Sequence, residues 1–447
     1  MKRVSLTLLI IILPFVNLFP QTLNLEQARL LALASSRSLA RYELALRSSI
    51  LDEKNQLYTM LPSVSAGYSA TMNYLRDWEF VNPVDTFSAG ATLSVTQIIF
   101  EGGKSFIQKA IAGIATESVR NDALAEYFNV LDSVDNAYYA VLEAQATLEA
   151  EEASLEAVGL SLSIAGIRHA SGMINLGDYL KALSDMEARQ NSRDQARRNL
   201  ALANARLRTI TGIEQAAMSI ELEQIDFSIY EDILIHLAAI SDEYVAAIFE
   251  GFWRQLLSSN LSLARSALSS ERAEHNLSLT RRDYAPTISA TVFSTGLGYS
   301  TANGFDHTSS GGLTIRGTIP IDFWVMNNRI EKSRLARDSA ALDYANAEIS
   351  LEIELQSVLL SIFAQAGSVL STRRSLEYTE KHFEYVMERY RLLQSSISDL
   401  SEATSLFINT RNNHIRASYG FLQSLARLRS MGALDDEQRL LELLMGN

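Results

Sequence analysis

Gly103 to Ile167 reads GKSFIQKAIAGIATESVRNDALAEYFNVLDSVDNAYYAVLEAQATLEAEEASLEAVGLSLSIAGI, 65 residues without a proline. At a rise of about 1.5 Å per residue this stretch makes a helical rod roughly 100 Å long. Val134, Val141, Leu148, Leu155 and Leu162 recur every seven residues, and Ala137, Ala144, Val158 and Ala165 lie three further on. A seven-residue repeat drifts round a 3.6-residue helix, so partner helices must coil left-handedly to stay in contact. One rod cannot bury such a seam alone.

On either side of the rod the period changes. Before it, Val64, Ala66, Tyr68, Ala70, Met72 and Tyr74 alternate with Ser63, Ser65, Gly67, Ser69, Thr71 and Asn73. Ala91, Leu93, Val95 and Ile99 do the same against Gly90, Thr92, Ser94 and Thr96. Period two means strands with one apolar and one polar face, expected over 61–74 and 88–100. Leu75 to Phe87 reads as a loop. After the rod, Gly172 is placed to stop the helix, and Asn175 to cap the next, with Asp178 in its first turn. Leu23 to Tyr58 is helical in pattern, with Asn24 as its cap.

The same order returns. Ala285-Pro286-Thr287-Ile288-Ser289-Ala290 echoes Leu61-Pro62-Ser63-Val64-Ser65-Ala66, 224 residues on. Strands are expected over 286–296 and 311–323, with a loop from Gly296 to Gly312. A second rod from about Asn327 carries Leu355, Ile362, Val369, Leu376, Phe383 and Tyr390 at heptad spacing. It turns at Gln394 to Ser398 and returns from Asp399 to Arg429. Arg391 follows Arg168, and Ile397 follows Ile174, by 223 residues. The chain therefore reads as a tandem repeat of helix, two strands, long helix and helix. Its parts are a signal peptide (1–21), a first repeat (22–212), an equatorial linker (213–241), a second repeat (242–430) and a closing segment (431–447).

Composition removes several function classes. The 39 basic and 52 acidic residues give −13, the wrong sign for a nucleic-acid partner. There is no cysteine, hence no disulfide, thiol nucleophile or thiolate metal site. Six scattered histidines show no paired spacing, and no G-x-S-x-G occurs. Gly102-Gly103-Lys104-Ser105 lacks the upstream glycine of a phosphate loop, Ile98 standing there, and reads as a strand-to-helix turn. No cofactor, metal or enzymatic activity is expected. Lys2 and Arg3 followed by apolar Leu6 to Phe19 mark an export signal. No later stretch is expected to span a bilayer as a helix.

Strands of about 9–11 residues suit a tilted transmembrane barrel. Four cannot close one, and open edges are not tolerated in lipid. Three chains supply twelve. On this reading Val64, Ala66, Leu93, Val95, Ile288, Ala290, Leu313 and Ile315 face lipid, while Ser63, Ser65, Thr92, Thr96, Thr314 and Arg316 face the lumen. Trp78, Phe80 and Phe87 at one end, and Phe100, Phe323 and Trp324 at the other, form aromatic girdles. The fold class is mainly α with membrane β: coiled-coil hairpins, twelve strands per trimer and a periplasmic α-barrel. A soluble periplasmic coiled-coil scaffold is the competing reading.

Several motifs resemble the TolC-like outer-membrane channels of efflux pumps and type I secretion systems. They are Leu61-Pro62-Ser63-Val64-Ser65, Ile99-Phe100-Glu101-Gly102-Gly103, Gly172-Met173-Ile174-Asn175-Leu176-Gly177-Asp178, Asp399-Leu400-Ser401-Glu402-Ala403-Thr404 and Gly432-Ala433-Leu434-Asp435-Asp436-Glu437. The resemblance implies a homotrimer in outer-membrane lipid, opened by contact with a periplasmic adaptor and an inner-membrane transporter of RND, ABC or MFS type. It implies that Asp399 and Glu402 ring the periplasmic aperture and that Tyr390 helps hold the turn shut. The family's basic residue after that tyrosine is absent, Gln394 and Ser395 standing there, and Leu393 replaces its glycine. Asp399 with Glu402 also has the form of a capping box. Arg168 and Arg391 are placed for pairing across helices, for adaptor contact or for solvent.

Overall fold

The structure is a computed structural model and describes residues 22–75, 84–213, 221–239, 242–300, 304–306, 310–434 and 437–445. The expected signal peptide, Trp78, Phe80 and the pair Asp435-Asp436 lie outside the described residues. The elements run β1 (Thr22–Leu23), α1 (Leu25–Ser35), α2 (Arg37–Tyr58), β2 (Ser63–Leu75), β3 (Val84–Phe100), α3 (Lys104–Ala170), α4 (Leu176–Thr211), β4 (Glu221–Leu222), α5 (Glu231–Ala238) and α6 (Asp242–Ser259). They continue with α7 (Leu261–Arg281), β5 (Thr287–Ser300), β6 (Gly304–Asp306), β7 (Ser310–Thr318), α8 (Phe323–Arg391), α9 (Ile397–Gly432) and α10 (Glu437–Leu444). Two compact units share the chain, one of residues 38–126 and 257–354, the other of the remainder.

The first unit holds the sheet. Its strands run antiparallel in the order β2, β3, β5, β7, with short β6 beside β5. Register puts like with like. Val64, Val95, Val292 and Leu313 lie opposite one another across the four strands, and Ser63, Thr96, Thr291 and Thr314 form the neighbouring row. Ser65 and Ser94 hydroxyls meet at 2.8 Å, and Thr96 and Thr291 at 3.0 Å. Arg316 is paired with Ser289 on that polar face. On the apolar face Val64, Leu93, Val292, Leu313 and Ile315 are all exposed. Among the described residues β2 and β7 are each paired along one side only.

Several expected boundaries move. Strand β3 begins at Val84, since Leu75 pairs with Val84 and the strand pairing takes in both ends of the expected loop, Leu75 and 84–87. Strand β5 runs on to Ser300, with Gly296 and Gly298 held extended by backbone pairing, and β6 lies inside the expected loop. Strand β7 ends at Thr318, because Pro320 has no N–H to continue a ladder. Helix α8 starts at Phe323, so Phe323 and Trp324 belong to a helix; Phe323 stacks on Tyr284 at 6.0 Å. Helix α8 also contains a window long and apolar enough to cross a membrane by composition, which corrects the expectation that none follows the signal.

The junction from β3 into α3 needs its glycines. Gly102 and Gly103 take φ of 67° and 76°, and a Cβ on Gly102 would sit 2.4 Å from that of Ala285. Arg282 donates to the Gly102 carbonyl, and Lys104 pairs with Asp283 at 2.9 Å. Ser49 of α2 meets Thr116 of α3 at 2.9 Å, and Arg265 of α7 meets Asp122 of α3 at 2.5 Å. The helices α2, α3 and α7 thus follow the order of the strands they join.

The second unit is a helical core with a buried ionic knot. Asp135 of α3 is fully buried. It accepts from Arg29 Nε at 2.7 Å and Nη2 at 2.9 Å, and from Arg429 at 2.6 Å. Burial disfavours the Arg29 charge, yet Asp135 more than compensates and holds the guanidinium above its ordinary pKa. The Tyr138 hydroxyl donates to the carbonyls of Leu23 and Glu223, tying down parallel β1 and β4. The expected single helix 23–58 breaks at Ser36, whose ψ is 109°. Asn24 caps α1 in a box with Gln27. The expected helix 242–282 breaks at Asn260, whose side chain accepts from Leu263 N at 2.9 Å and starts α7. In the linker, β4, a short 3₁₀ turn at Phe227–Tyr230 and α5 replace an unread stretch.

Candidate functional site: the two hairpin turns

The ends of the two long hairpins lie in the second unit. Helix α3 stops with Gly172 at φ 71°, its N–H on His169 O at 3.0 Å and Met173 N–H on Arg168 O at 2.8 Å. Only glycine takes this left-handed conformation at no cost. Asn175 then opens α4, accepting from Asp178 N at 2.8 Å.

Helix α8 stops in the same way. Leu393 N–H reaches Tyr390 O at 3.2 Å and Gln394 N–H reaches Arg389 O at 2.8 Å. The left-handed residue here is Leu393, φ 68°. Arg389 rather than Arg391 is therefore the counterpart of Arg168, two residues earlier than the sequence repeat suggested. The cap differs from expectation too. Ser396 is the N-cap, accepting from Asp399 N at 3.1 Å, and Asp399 accepts in return from Ser396 N at 3.0 Å. The capping box is Ser396 with Asp399, not Asp399 with Glu402. Serine at this position leaves Ile397 and Leu400 on the buried side. These backbone and side-chain hydrogen bonds from Ser396 hold the Asp399 carboxyl below the usual aspartate range. Asp399 and Glu402 are both exposed, one turn apart on α9.

Between the turns sits Tyr390, 1% exposed, beneath Arg168, 6% exposed. The guanidinium carbon lies 4.1 Å from the ring centroid, and Nη2 donates to the Tyr390 carbonyl. The arginine thus crosses from α3 to the last turn of α8 and neutralises a carbonyl end with its charge. Burial raises the phenol pKa, while the Arg168 charge opposes it and Asp178 adds to it. The hydroxyl has Ser161 beside it, outside strict hydrogen-bond geometry. Ala165, Ala182, Met387, Ile397, Leu400 and Ala403 complete a small core round the ring. Arg391, by contrast, is exposed and lies 3.7 Å from Glu388 on its own helix.

Beside this core is a cavity of about 160 Å³, bordered by Ser161, Asp185, Arg189, Ser401, Thr404 and Ser405 among others. Arg189 donates to Ser405 at 3.2 Å and lies 3.7 Å from Glu151, which also accepts from Asn412 at 2.9 Å. The outer surface of the turns is apolar for its position: Met173, Leu176, Leu180, Leu392 and Leu393 are exposed. Among the described residues no cluster of potential metal ligands occurs. Sequence reasoning singled out Arg168 and Tyr390 separately but had no signal for their stacking. It missed Ser396, whose pairing with Asp399 three residues on is a legible capping pattern.

The sequence matches a family model described as Outer membrane efflux protein over residues 29–213 and 253–433. It is 22% identical over 438 residues to Outer membrane protein TolC of Escherichia coli (strain K12), covering 94% of this chain and 83% of that one. It is 23% identical to Outer membrane protein TolC of Vibrio cholerae, covering 94% and 90%. The fold is similar to that of the Campylobacter jejuni CmeC outer membrane channel, with a TM-score of 0.76, 15% identity and coverage of 94% and 89%.

Proposed function

Because the chain belongs to the outer membrane efflux protein family, we propose that three copies close a twelve-stranded barrel and serve as the exit duct of a tripartite efflux pump or a type I secretion system. Membership already places the protein in the cell outer membrane as an efflux channel with a long periplasmic helical part, in a family of transport proteins rather than enzymes. That seat sets aside the soluble scaffold.

The observation that carries the trimer is the sheet. Among the described residues strands β2 and β7 are open along their outer sides, and one face is apolar and exposed. An unpaired strand edge in hydrocarbon costs several kcal/mol per group. A copy of β2 beside β7 of its neighbour is antiparallel, as every other pair in the sheet is. Val64, Leu93, Val292, Leu313 and Ile315 then face lipid, and Arg316 with the Ser and Thr rows faces water. The order of elements, helix, two strands, long helix and helix, occurs twice, which supports the tandem repeat.

At the periplasmic end, Tyr390 under Arg168 holds the α8–α9 hairpin against α3 in the shut state. Gly172, Asp178 and Arg391 belong to the same turns. Asp399 and Glu402, exposed at the mouth, make a six-carboxylate ring in the trimer. The exposed Met173, Leu176, Leu392 and Leu393 offer the surface on which a periplasmic adaptor docks, bringing an inner-membrane transporter. Two measurements test this. The native protein is expected to fractionate with outer membrane and to run as a heat-labile trimer; a monomer soluble without detergent refutes it. In single-channel recording, Asp399→Ala/Glu402→Ala should lose cation preference and divalent block, and an unchanged channel removes the ring.

A further inference from the structure

The four helices that join the sheet, α2, α3, α7 and α8, repeat one pairing. Tyr58 of α2, Phe106 of α3, Tyr284 in the turn after α7 and Val325 of α8 are all exposed. Each has a cation three or four residues away, hence on the same side of its helix: Lys54, Lys109, Arg281 and Arg329. In every case the cation is the member farther from the sheet, since α2 and α7 run into their strands while α3 and α8 run out of theirs. Lys332, three residues beyond Arg329, extends the row on α8. Among the described residues none of these five cations has an ion pair or a side-chain hydrogen bond, unlike Lys104 and Arg334 close by.

The exposed rings continue the apolar face of the sheet. Register sets Phe100 opposite Ile288 where that face ends. Ile319 and Ile321 keep the parity of Leu313 and Ile315 past the end of β7 and are exposed, as is Trp324 in the first turn of α8, at 72%. Rings followed by cations one helical turn, about 5.4 Å, farther from the hydrocarbon suit a membrane boundary: the rings sit at headgroup level and the long basic side chains reach the phosphates. The local charge has the matching sign. Residues 52–61, 99–109, 281–285 and 319–334 hold eight basic residues against six acidic ones, in a chain of net charge −13. Three of the acids are already engaged, Asp283 by Lys104 at 2.9 Å, Glu331 by Arg334 at 3.0 Å and Glu101 by the Ser105 N–H at 2.9 Å.

We infer that Lys54, Lys109, Arg281, Arg329 and Lys332 form a collar that binds the headgroups of anionic phospholipids in the leaflet facing the periplasm. The inference rests on the lipid-facing reading of the sheet and needs no particular number of copies. The occupant is lipid because the cations stand on every helix at one level, directly beyond the apolar belt, and because a headgroup without net charge leaves them unanswered.

The test uses the full-length protein, reconstituted into vesicles of phosphatidylcholine with either brominated phosphatidylcholine or brominated phosphatidylglycerol as a minor component. The chain has three tryptophans, so Trp78→Phe/Trp253→Phe leaves Trp324 as the reporter at the belt. Brominated phosphatidylglycerol is expected to quench Trp324 as though enriched roughly tenfold over brominated phosphatidylcholine. Lys54→Gln/Lys109→Gln/Arg281→Gln/Arg329→Gln/Lys332→Gln should make the two lipids quench alike while leaving quenching by phosphatidylcholine unchanged. Equal quenching in the protein with its cations intact, or a preference that survives the five substitutions, overturns the collar. Should that variant not insert, the salt dependence of the unsubstituted collar replaces it: the preference should fade as salt rises, and one that persists overturns the inference. Inorganic phosphate should not displace the brominated phosphatidylglycerol; displacement at a matching phosphorus concentration would make this a site for free anions instead. A chain that inserts into neither vesicle fails as a barrel, whereas one that inserts into both without preference fails only as a collar.

Discussion

The α3–α4 turn and the α8–α9 turn share one backbone. Each ends its long helix with a left-handed residue, each reaches back through an i to i−5 hydrogen bond of 2.8 Å, and each places the N-cap of the next helix three residues after the left-handed one. Their chemistry differs. The first uses Gly172 and a neutral cap, Asn175. The second uses Leu393, for which the left-handed region costs about 1–2 kcal/mol, and a titratable box of Ser396 and Asp399. One turn is relaxed and the other is held. What holds it is Arg168, reaching over from the first turn to the Tyr390 ring and carbonyl. The difference teaches that the α8–α9 turn is the one whose conformation depends on a neighbour.

The contrast is broken most strongly at that neighbour. Arg168→Ala removes a buried charged hydrogen bond and a ring contact, with an expected loss of about 2–3 kcal/mol. Amide exchange over 383–394 should quicken roughly 30- to 160-fold. Arg168→Lys should recover only part, since an ammonium has no planar fork to lie on the ring. Arg389→Ala, at the matching but exposed position, should change exchange by less than about threefold, or about 0.5 kcal/mol. Equal effects at the two arginines remove the asymmetry.

Exchanging the stop residues comes next. Gly172→Ala is expected to destabilise its turn by about 1 kcal/mol through backbone alone, as the site has open space. Leu393→Gly should do the reverse and stabilise the second turn by up to about 1 kcal/mol. Slower exchange at 390–396 is the readout, and faster exchange would show that the leucine side chain, not its backbone, matters there.

Caps give a smaller separation. Asn175→Ala should cost about 0.5–1 kcal/mol and Ser396→Ala somewhat more, since the latter also releases the reciprocal bond to Asp399. Chemical shifts or exchange at 178 and 399 distinguish the two.

The smallest expected effect is on acidity. The Asp399 carboxyl has its pKa depressed, so its cap contributes fully above the unfolded value of about 3.9 and is lost as pH falls through the lower folded one. Below about pH 4 the second turn should loosen while the Asn175 cap, which does not titrate, is unaffected. Carboxylates gathered in a ring repel and move upward instead. Loosening that begins well above pH 4 in the assembled channel would therefore mark the ring.

The periodicities written along the chain carried most of the architecture. Heptads placed the rods, alternation placed the strands and their faces, and Gly172 and Asn175 marked the first turn. Boundaries slipped where pairing, not composition, decides them, as at Leu75 with Val84 and at Ser300. The second turn was legible only in part, because a leucine in a glycine's conformation sends no compositional signal. Arg29, Asp135 and Arg429 were invisible as a group, standing far apart in sequence.

By itself, then, the order of residues determined which segments are helix or strand, which side of each is apolar, and that a single copy leaves edges uncovered. Those follow from periods of 3.5 and 2, which are local. Tertiary structure alone decided which arginine lies on Tyr390, which serine caps α9, which carboxylate is buried between two guanidiniums, and which side chains stay exposed. These depend on side chains brought together from distant elements, where burial strengthens a charge contact that would count for little in water.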